Sequence, residues 1–199
     1  MNDKGSTRER VLLPRLLGLS LLLCALGPKV LRADALDGTL EVQSAFVSRV
    51  AGVYQLNAHV KYPLNEDIRA ALRDGVSLSF DLEVVVSRQR RYWFNAEIAY
   101  VSLRRELFWQ ALTDRFIVRD PTARDQQSFA SLDAALENLG HVEGWPIMVE
   151  SQIKDTGEFR VNLRAGMRRG KLTDALRIIL FWTNDWHRES EWYTWSLPR

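Results

Sequence analysis

The sequence predicts a mainly β protein: an antiparallel two-layer β-sandwich of seven to nine strands, with two or three short helices in the connections. Three observations predict it. Val76, Leu78, Phe80, Leu82, Val84 and Val86 alternate with Ser77, Ser79, Asp81 and Glu83. Successive strand side chains point to opposite faces, so this stretch reads as a half-buried antiparallel strand. Further alternating runs recur between turn signals rich in Gly, Pro and Asp. Helical periodicity is confined to three short stretches. A sheet with helices packed on one face is the alternative arrangement.

The elements follow in order. Thr39 to Val50 alternates imperfectly, with Leu40, Val42 and Phe46 close to period two. Ala51-Gly52 marks a turn, and Val53 to Tyr62 returns with Tyr54, Leu56, Ala58, Val60 and Tyr62 on one face. The pair reads as a hairpin that ends at Pro63, because proline cannot donate to a ladder. Asn65 to Asp74 is a helix: Asn65 caps it, Ile68, Ala71 and Leu72 form its stripe, and Gly75 stops it. The central stretch, Val76 to Trp93, is too long for an unbroken strand. A bend or bulge is expected near Val84-Val85-Val86, where alternation lapses.

Asn95 to Thr113 reads as a second long strand, antiparallel to the first, with Ala99, Val101, Leu103, Leu107 and Trp109 on one parity. Arg115 to Arg119 is a short strand, and Asp120-Pro121 opens a polar loop to Gln127. Ser131 to Leu139 is a second helix, capped by Ser131 and ended by Gly140. Gly144 and Pro146 are expected to break the next segment. Ile147 to Ile153 and Phe159 to Leu163 are expected to form strands around a Lys154–Gly157 turn. Arg168 to Lys171 reads as a basic loop, Leu172 to Trp182 as a third helix, and Trp192 to Trp195 as a final strand.

The N-terminus reads as a secretory signal. Arg8, Arg10 and Arg15 precede a twelve-residue apolar run, Leu16 to Gly27, and Ala33-Asp34-Ala35 offers small residues for cleavage. The run is short for a membrane span. Residues 1–35 are therefore expected to be a signal peptide, with an uncleaved anchor as the alternative, and 36–199 a single β-sandwich domain. Cys24 is the only cysteine and follows Leu23, which is too large for a lipidation site. The domain has no disulfide or thiolate chemistry to draw on. Removing the six basic and three acidic residues of 1–35 from 27 and 25 leaves 21 and 22, a net charge of −1. A nucleic-acid role would want a net basic domain.

Two clusters stand out. Arg88, Arg90, Arg91, Tyr92 and Trp93 combine guanidinium forks, which bind carboxylate or phosphate, with rings that add stacking and cation–π contacts. A charged strand end beside a core tryptophan would look the same. Phe181, Trp182, Trp186, Trp192, Tyr193 and Trp195 crowd the C-terminus. They read either as a recognition platform or as rings that close the core. Glu191, beside Trp192, is placed to pair with one of these arginines. His59, His141 and His187 share no metal-ligand spacing, and Gly-x-Ser-x-Gly, His-Glu-x-x-His and phosphate-binding glycine loops are absent from the sequence. Asp81 and Glu83 lie two apart, as on an ordinary solvated strand face. No metal, cofactor or catalytic residue is nominated.

Ala71-Leu72-Arg73-Asp74-Gly75-Val76, Arg90-Arg91-Tyr92-Trp93, Ser128-Phe129 leading to Leu132 and Leu139-Gly140, and Ser190-Glu191-Trp192 together resemble an exported family of Gram-negative bacteria, the domain of unknown function 4390, also titled proline-rich signal peptide protein. The resemblance covers nearly all of 36–199. It departs where such members carry Leu-Pro, since Leu172 is followed here by Thr173. It implies no activity and no site residues. The frequent neighbourhood of such genes with a sensor-kinase pair implies envelope signalling. The expectation is a periplasmic, non-enzymatic interaction module, accessory to a membrane sensor. Its expected partner is an inner-membrane or envelope protein, not nucleic acid, and it meets the membrane only through the N-terminal segment. Its nominated binding residues are Arg88, Arg90, Arg91, Tyr92, Trp93, Glu191 and Trp192. The alternative is a glycan- or lipid-binding module that uses the C-terminal aromatics.

Overall fold

A computed structural model describes residues 39–63, 65–92, 94–154, 156–170 and 187–198. The expected signal segment, the expected third helix, Trp93, Phe181, Trp182 and Trp186 lie outside these residues.

The described residues form two antiparallel sheets. β1 (Glu41–Val50), β2 (Val53–Lys61) and β7 (His141–Val149) make a three-stranded sheet in the order β1-β2-β7. The second sheet has seven strands: β3 (Leu78–Arg88), β4 (Ala96–Gln110), β5 (Arg115–Asp120), β6 (Asp125–Phe129), β8 (Phe159–Arg169), β9 (His187–Glu189) and β10 (Tyr193–Ser196). Its order is β10-β8-β3-β4-β5-β6, with β9 also on β8. Two helices, α1 (Glu66–Arg73) and α2 (Leu132–Gly140), sit where the chain crosses between sheets. The described residues thus hold ten strands rather than seven to nine. The short strands β6 and β9 are the additions.

β3 is the axis of the larger sheet. All eleven of its residues pair with β8 on one side, and it pairs with β4 on the other. Leu78, Phe80, Leu82, Val84 and Val86 face inward and are buried. Val161, Leu163, Ala165 and Met167 of β8 lie beside them, and Tyr54, Leu56, Ala58 and Val60 of β2 belong to the same core. Each Val, Leu, Phe and Met among them contributes roughly 1.5–3 kcal/mol on burial. Tyr62 meets Phe80 edge to face at 4.7 Å, joining the end of β2 to β3.

Local signals account for the termini of the elements. Ala51 and Gly52 both have positive φ, the geometry of a two-residue hairpin turn between Val50 and Val53. The Asn65 side chain accepts from the Ile68 N–H at 2.9 Å, and the Ser131 hydroxyl accepts from the Ala134 N–H at 3.2 Å. Ile68 and Leu72 of α1, and Leu132, Ala135 and Leu139 of α2, are buried. Gly140 closes α2 so near β2 that an added Cβ would lie 2.2 Å from the Val60 carbonyl oxygen.

Several expectations need correction. In β1 the ladder shifts between Val42 and Ser44, so the inward parity changes from even to odd. Val47 is buried and Phe46 points out, 59% exposed. The bulge expected near Val84-Val85-Val86 is present, since the β3–β4 ladder shifts between Val86 and Ser87, opposite Ala99 and Glu97. The extra residue is therefore Ile98 on β4. β7 runs through Gly144 and Pro146 because it is an edge strand, where a missing N–H is tolerated. Gly144 there takes a φ of 60°. β7 and β8 do not form a hairpin: β7 pairs with β2 and β8 with β3, and the segment between them crosses from one sheet to the other. Arg168 and Arg169 belong to β8 rather than to a loop.

Candidate functional site

The β3–β4 ladder ends at the pair Arg88 and Ala96. Beyond it lies a tip, 89–95, of which Arg90, Arg91, Tyr92, Phe94 and Asn95 are exposed. Its base is tied by the Gln89 N–H, which donates to the Glu158 carbonyl at 2.9 Å. The Arg90 N–H donates to Asn95 Oδ1 at 3.4 Å across the tip. Arg90 and Arg91 are exposed, and Tyr92 and Phe94 are 87% and 91% exposed. Arg88 differs: it is half-buried, with its aliphatic stem close to Gly157. The alternation of β3 stops at Arg88, and Gln89-Arg90-Arg91 offers no apolar residue to the core. The tip therefore leaves the sheet with Tyr92 and Phe94 in water. From Arg88 to Ala96 the sequence has three arginines and no acid. Such a surface can bind an anionic group while its rings enter a less polar phase.

The outer face of the larger sheet holds a second group. Asp81 accepts from Arg104 Nε at 2.5 Å and lies 3.1 Å from Arg168 Nε. Arg164 donates to Glu83 at 2.7 Å and to Glu189 at 2.6 Å. Its guanidinium stacks on Trp192, 4.7 Å from the ring centroid. Hydrogen bonds to Asp81 and Glu83 push Arg104 and Arg164 up, so both stay charged. Gly166 lies opposite Asp81 in the ladder, and a cavity of about 70 Å³ remains among Asp81, Arg104, Arg164 and His187. The carboxylates expected on a solvated strand face are thus held by arginines in a cross-strand charge ladder.

The nominated residues separate into two places. Arg88 is opposite Phe159 on β8, whereas Trp192 stacks on Arg164. Phe159 and Arg164 are five steps apart along β8, roughly 16 Å at about 3.3 Å per residue. Glu191 is exposed, and the acid that holds an arginine is Glu189, which occupies the outer parity opposite Gly166. Trp192 is 43% exposed, while Trp195 packs partly against the core. The described C-terminal aromatics therefore divide between surface and core.

Sequence reasoning stopped the aromatic run at Trp93 and missed Phe94, its neighbour. It also missed Arg105, whose signal was its place on the apolar parity between Leu103 and Leu107. Arg105 faces the core side of β4 and donates to the Asn138 carbonyl at 3.2 Å and to the Leu139 carbonyl, at the end of α2. Burial lowers its pKa, and Tyr62 and Asp120 oppose that shift. Beside it runs a groove of about 440 Å³, lined in part by Asp120, Asp125, His141 and Trp145. His59 and His141 are cross-strand partners with ring centroids 6.0 Å apart. Among the described residues, no cluster of three or more metal-ligating side chains occurs.

No curated protein and no solved structure matches the chain. A family model described as a domain of unknown function, DUF4390, matches residues 37–196, and the chain belongs to that family.

Proposed function

We propose that this protein is an exported, periplasmic, non-enzymatic interaction module of the cell envelope, and that its contact surface is the β3–β4 tip. One observation carries the reading: Tyr92 and Phe94 stand in water close in sequence to exposed Arg90 and Arg91, just beyond the last β3–β4 pair. Exposed apolar groups that gather in one place mark interaction sites, whereas singly scattered ones do not. Two arginines beside them add attraction for an acidic surface.

The test is a variant combining Arg90→Ser, Arg91→Ser, Tyr92→Ser and Phe94→Ser. It is expected to keep the parent's urea midpoint and to leave the envelope fraction of intact cells for the soluble fraction. A variant that distributes as the parent does would overturn the reading.

A second reading is favoured by Trp192 and Tyr100, which is 52% exposed. Both share the outer sheet face with Asn162 and Thr194, whose side chains bond to each other at 3.0 Å. Rings set among polar groups suit a glycan. Titration with cell-wall glycan fragments should then change tryptophan emission in the parent and not in Trp192→Ala. An unchanged parent emission removes this reading.

A further inference from the structure

We propose that the β3–β4 tip docks on an anionic phospholipid surface. This rests on the tip's being the contact surface. It goes further by naming what the tip touches.

Shape is the first argument. The tip is a knob and not a groove. Its exposed rings, Tyr92 and Phe94, flank Trp93 in sequence and lie beyond the last sheet pairs, where Arg88 meets Ala96 on one side and Phe159 on the other. A convex knob needs a partner that yields around it. A lipid interface does so, because amphipathic rings settle at headgroup depth without a preformed pocket.

Charge is the second. Arg90 and Arg91 are exposed, and the run from Arg88 to Ala96 contains no carboxylate. The nearest acids stand at the base of the tip: Glu97 follows Ala96, and the Glu158 carbonyl accepts from Gln89. In sequence the segment that holds Glu158 balances Lys154 and Arg160 against Asp155 and Glu158, so it adds no net charge. The end of the knob is therefore cationic. Guanidinium groups fork onto phosphate oxygens, and each basic side chain near an anionic leaflet is worth about fivefold in binding. Arg90 and Arg91 together account for about 25-fold. An acidic protein face would satisfy the arginines. It would leave the rings exposed unless it also carried a matching pocket.

The test uses the full chain and sedimentation with vesicles of phosphatidylglycerol or phosphatidylcholine. The parent should bind phosphatidylglycerol more tightly, and the preference should weaken with added salt. Arg90→Glu/Arg91→Glu should lose at least about 25-fold on phosphatidylglycerol. Tyr92→Ser/Phe94→Ser should weaken binding to both vesicles, and Leu112→Ser, at the turn after β4, should change nothing. A photocrosslinker at position 92 should form lipid adducts on phosphatidylglycerol, and one at 112 should not. This second measurement reads the tip even if other segments also bind. Tip variants that bind as the parent does, with no lipid adduct from position 92, overturn the lipid proposal. If position 92 then forms protein adducts in cells, the interaction reading stands while the lipid proposal fails. If it forms none, both fail.

Discussion

Arg104 and Arg105 are adjacent in β4 and serve opposite sides of the same sheet. Arg104 pairs with Asp81 on the outer face, while Arg105 reaches inward to the last carbonyls of α2. Helix ends leave C-terminal carbonyls without intrahelical partners, and a cation there also meets the negative end of the helix dipole.

The two positions should therefore respond differently to the same substitution. Arg105→Met strands the α2 carbonyls in a half-buried site and should lower stability by about 1–3 kcal/mol. Arg104→Met removes an exposed ion pair and leaves Asp81 with Arg168. Its expected cost is about 1 kcal/mol or less. Urea unfolding of the two variants checks this. Equal losses would mean that Arg105 is not a helix cap.

The shifted register of β1 makes a second contrast. Val47→Ala removes two buried methyl-sized groups at about 0.8 kcal/mol each, roughly 1.6 kcal/mol. Phe46→Ser should stay within about 0.5 kcal/mol. Urea midpoints decide it, and a larger loss at Phe46 would restore the even parity that simple alternation suggests.

Those contrasts indicate what the sequence could and could not convey. Where a signal is local, it was readable. Asn65 and Gly75 bracket α1, Ser131 and Gly140 bracket α2, and Ala51-Gly52 makes the turn. The alternation of Val76 to Val86 marked the central strand correctly. The lapse of alternation at Val84-Val85-Val86 placed one bulge closely, but that its extra residue is Ile98 on β4, and that β1 bulges at Gln43, only the pairing reveals. β6 was missed because Asp125, Gln126, Gln127 and Ser128 are all exposed and leave no alternation. The β7–β8 segment was read as a hairpin because a turn signal does not state which sheet each arm joins. The tip itself was half legible. Its composition was plain, but the separation of half-buried Arg88 from exposed Arg90 and Arg91 depends on where the ladder stops.

A third prediction follows from Tyr62. Burial pushes its hydroxyl pKa well above the ordinary value of about 10, with nearby Arg105 opposing the shift. The folded state thus holds the proton after the unfolded state has lost it. That contribution is complete below about pH 10 and is lost as pH rises from there toward the folded value. Urea midpoints measured across this range should fall more steeply for the parent than for Tyr62→Phe. Parallel slopes would show that Tyr62 does not titrate with unfolding.

The β3–β4 tip is the proposed contact surface of this protein. Photocrosslinking in intact cells from position 92 and from position 112, which is 96% exposed at the turn after β4, tests it most directly. Adducts should form from position 92 alone and disappear with Arg90→Glu/Arg91→Glu. Equal adducts from both positions, or none from position 92, would contradict it.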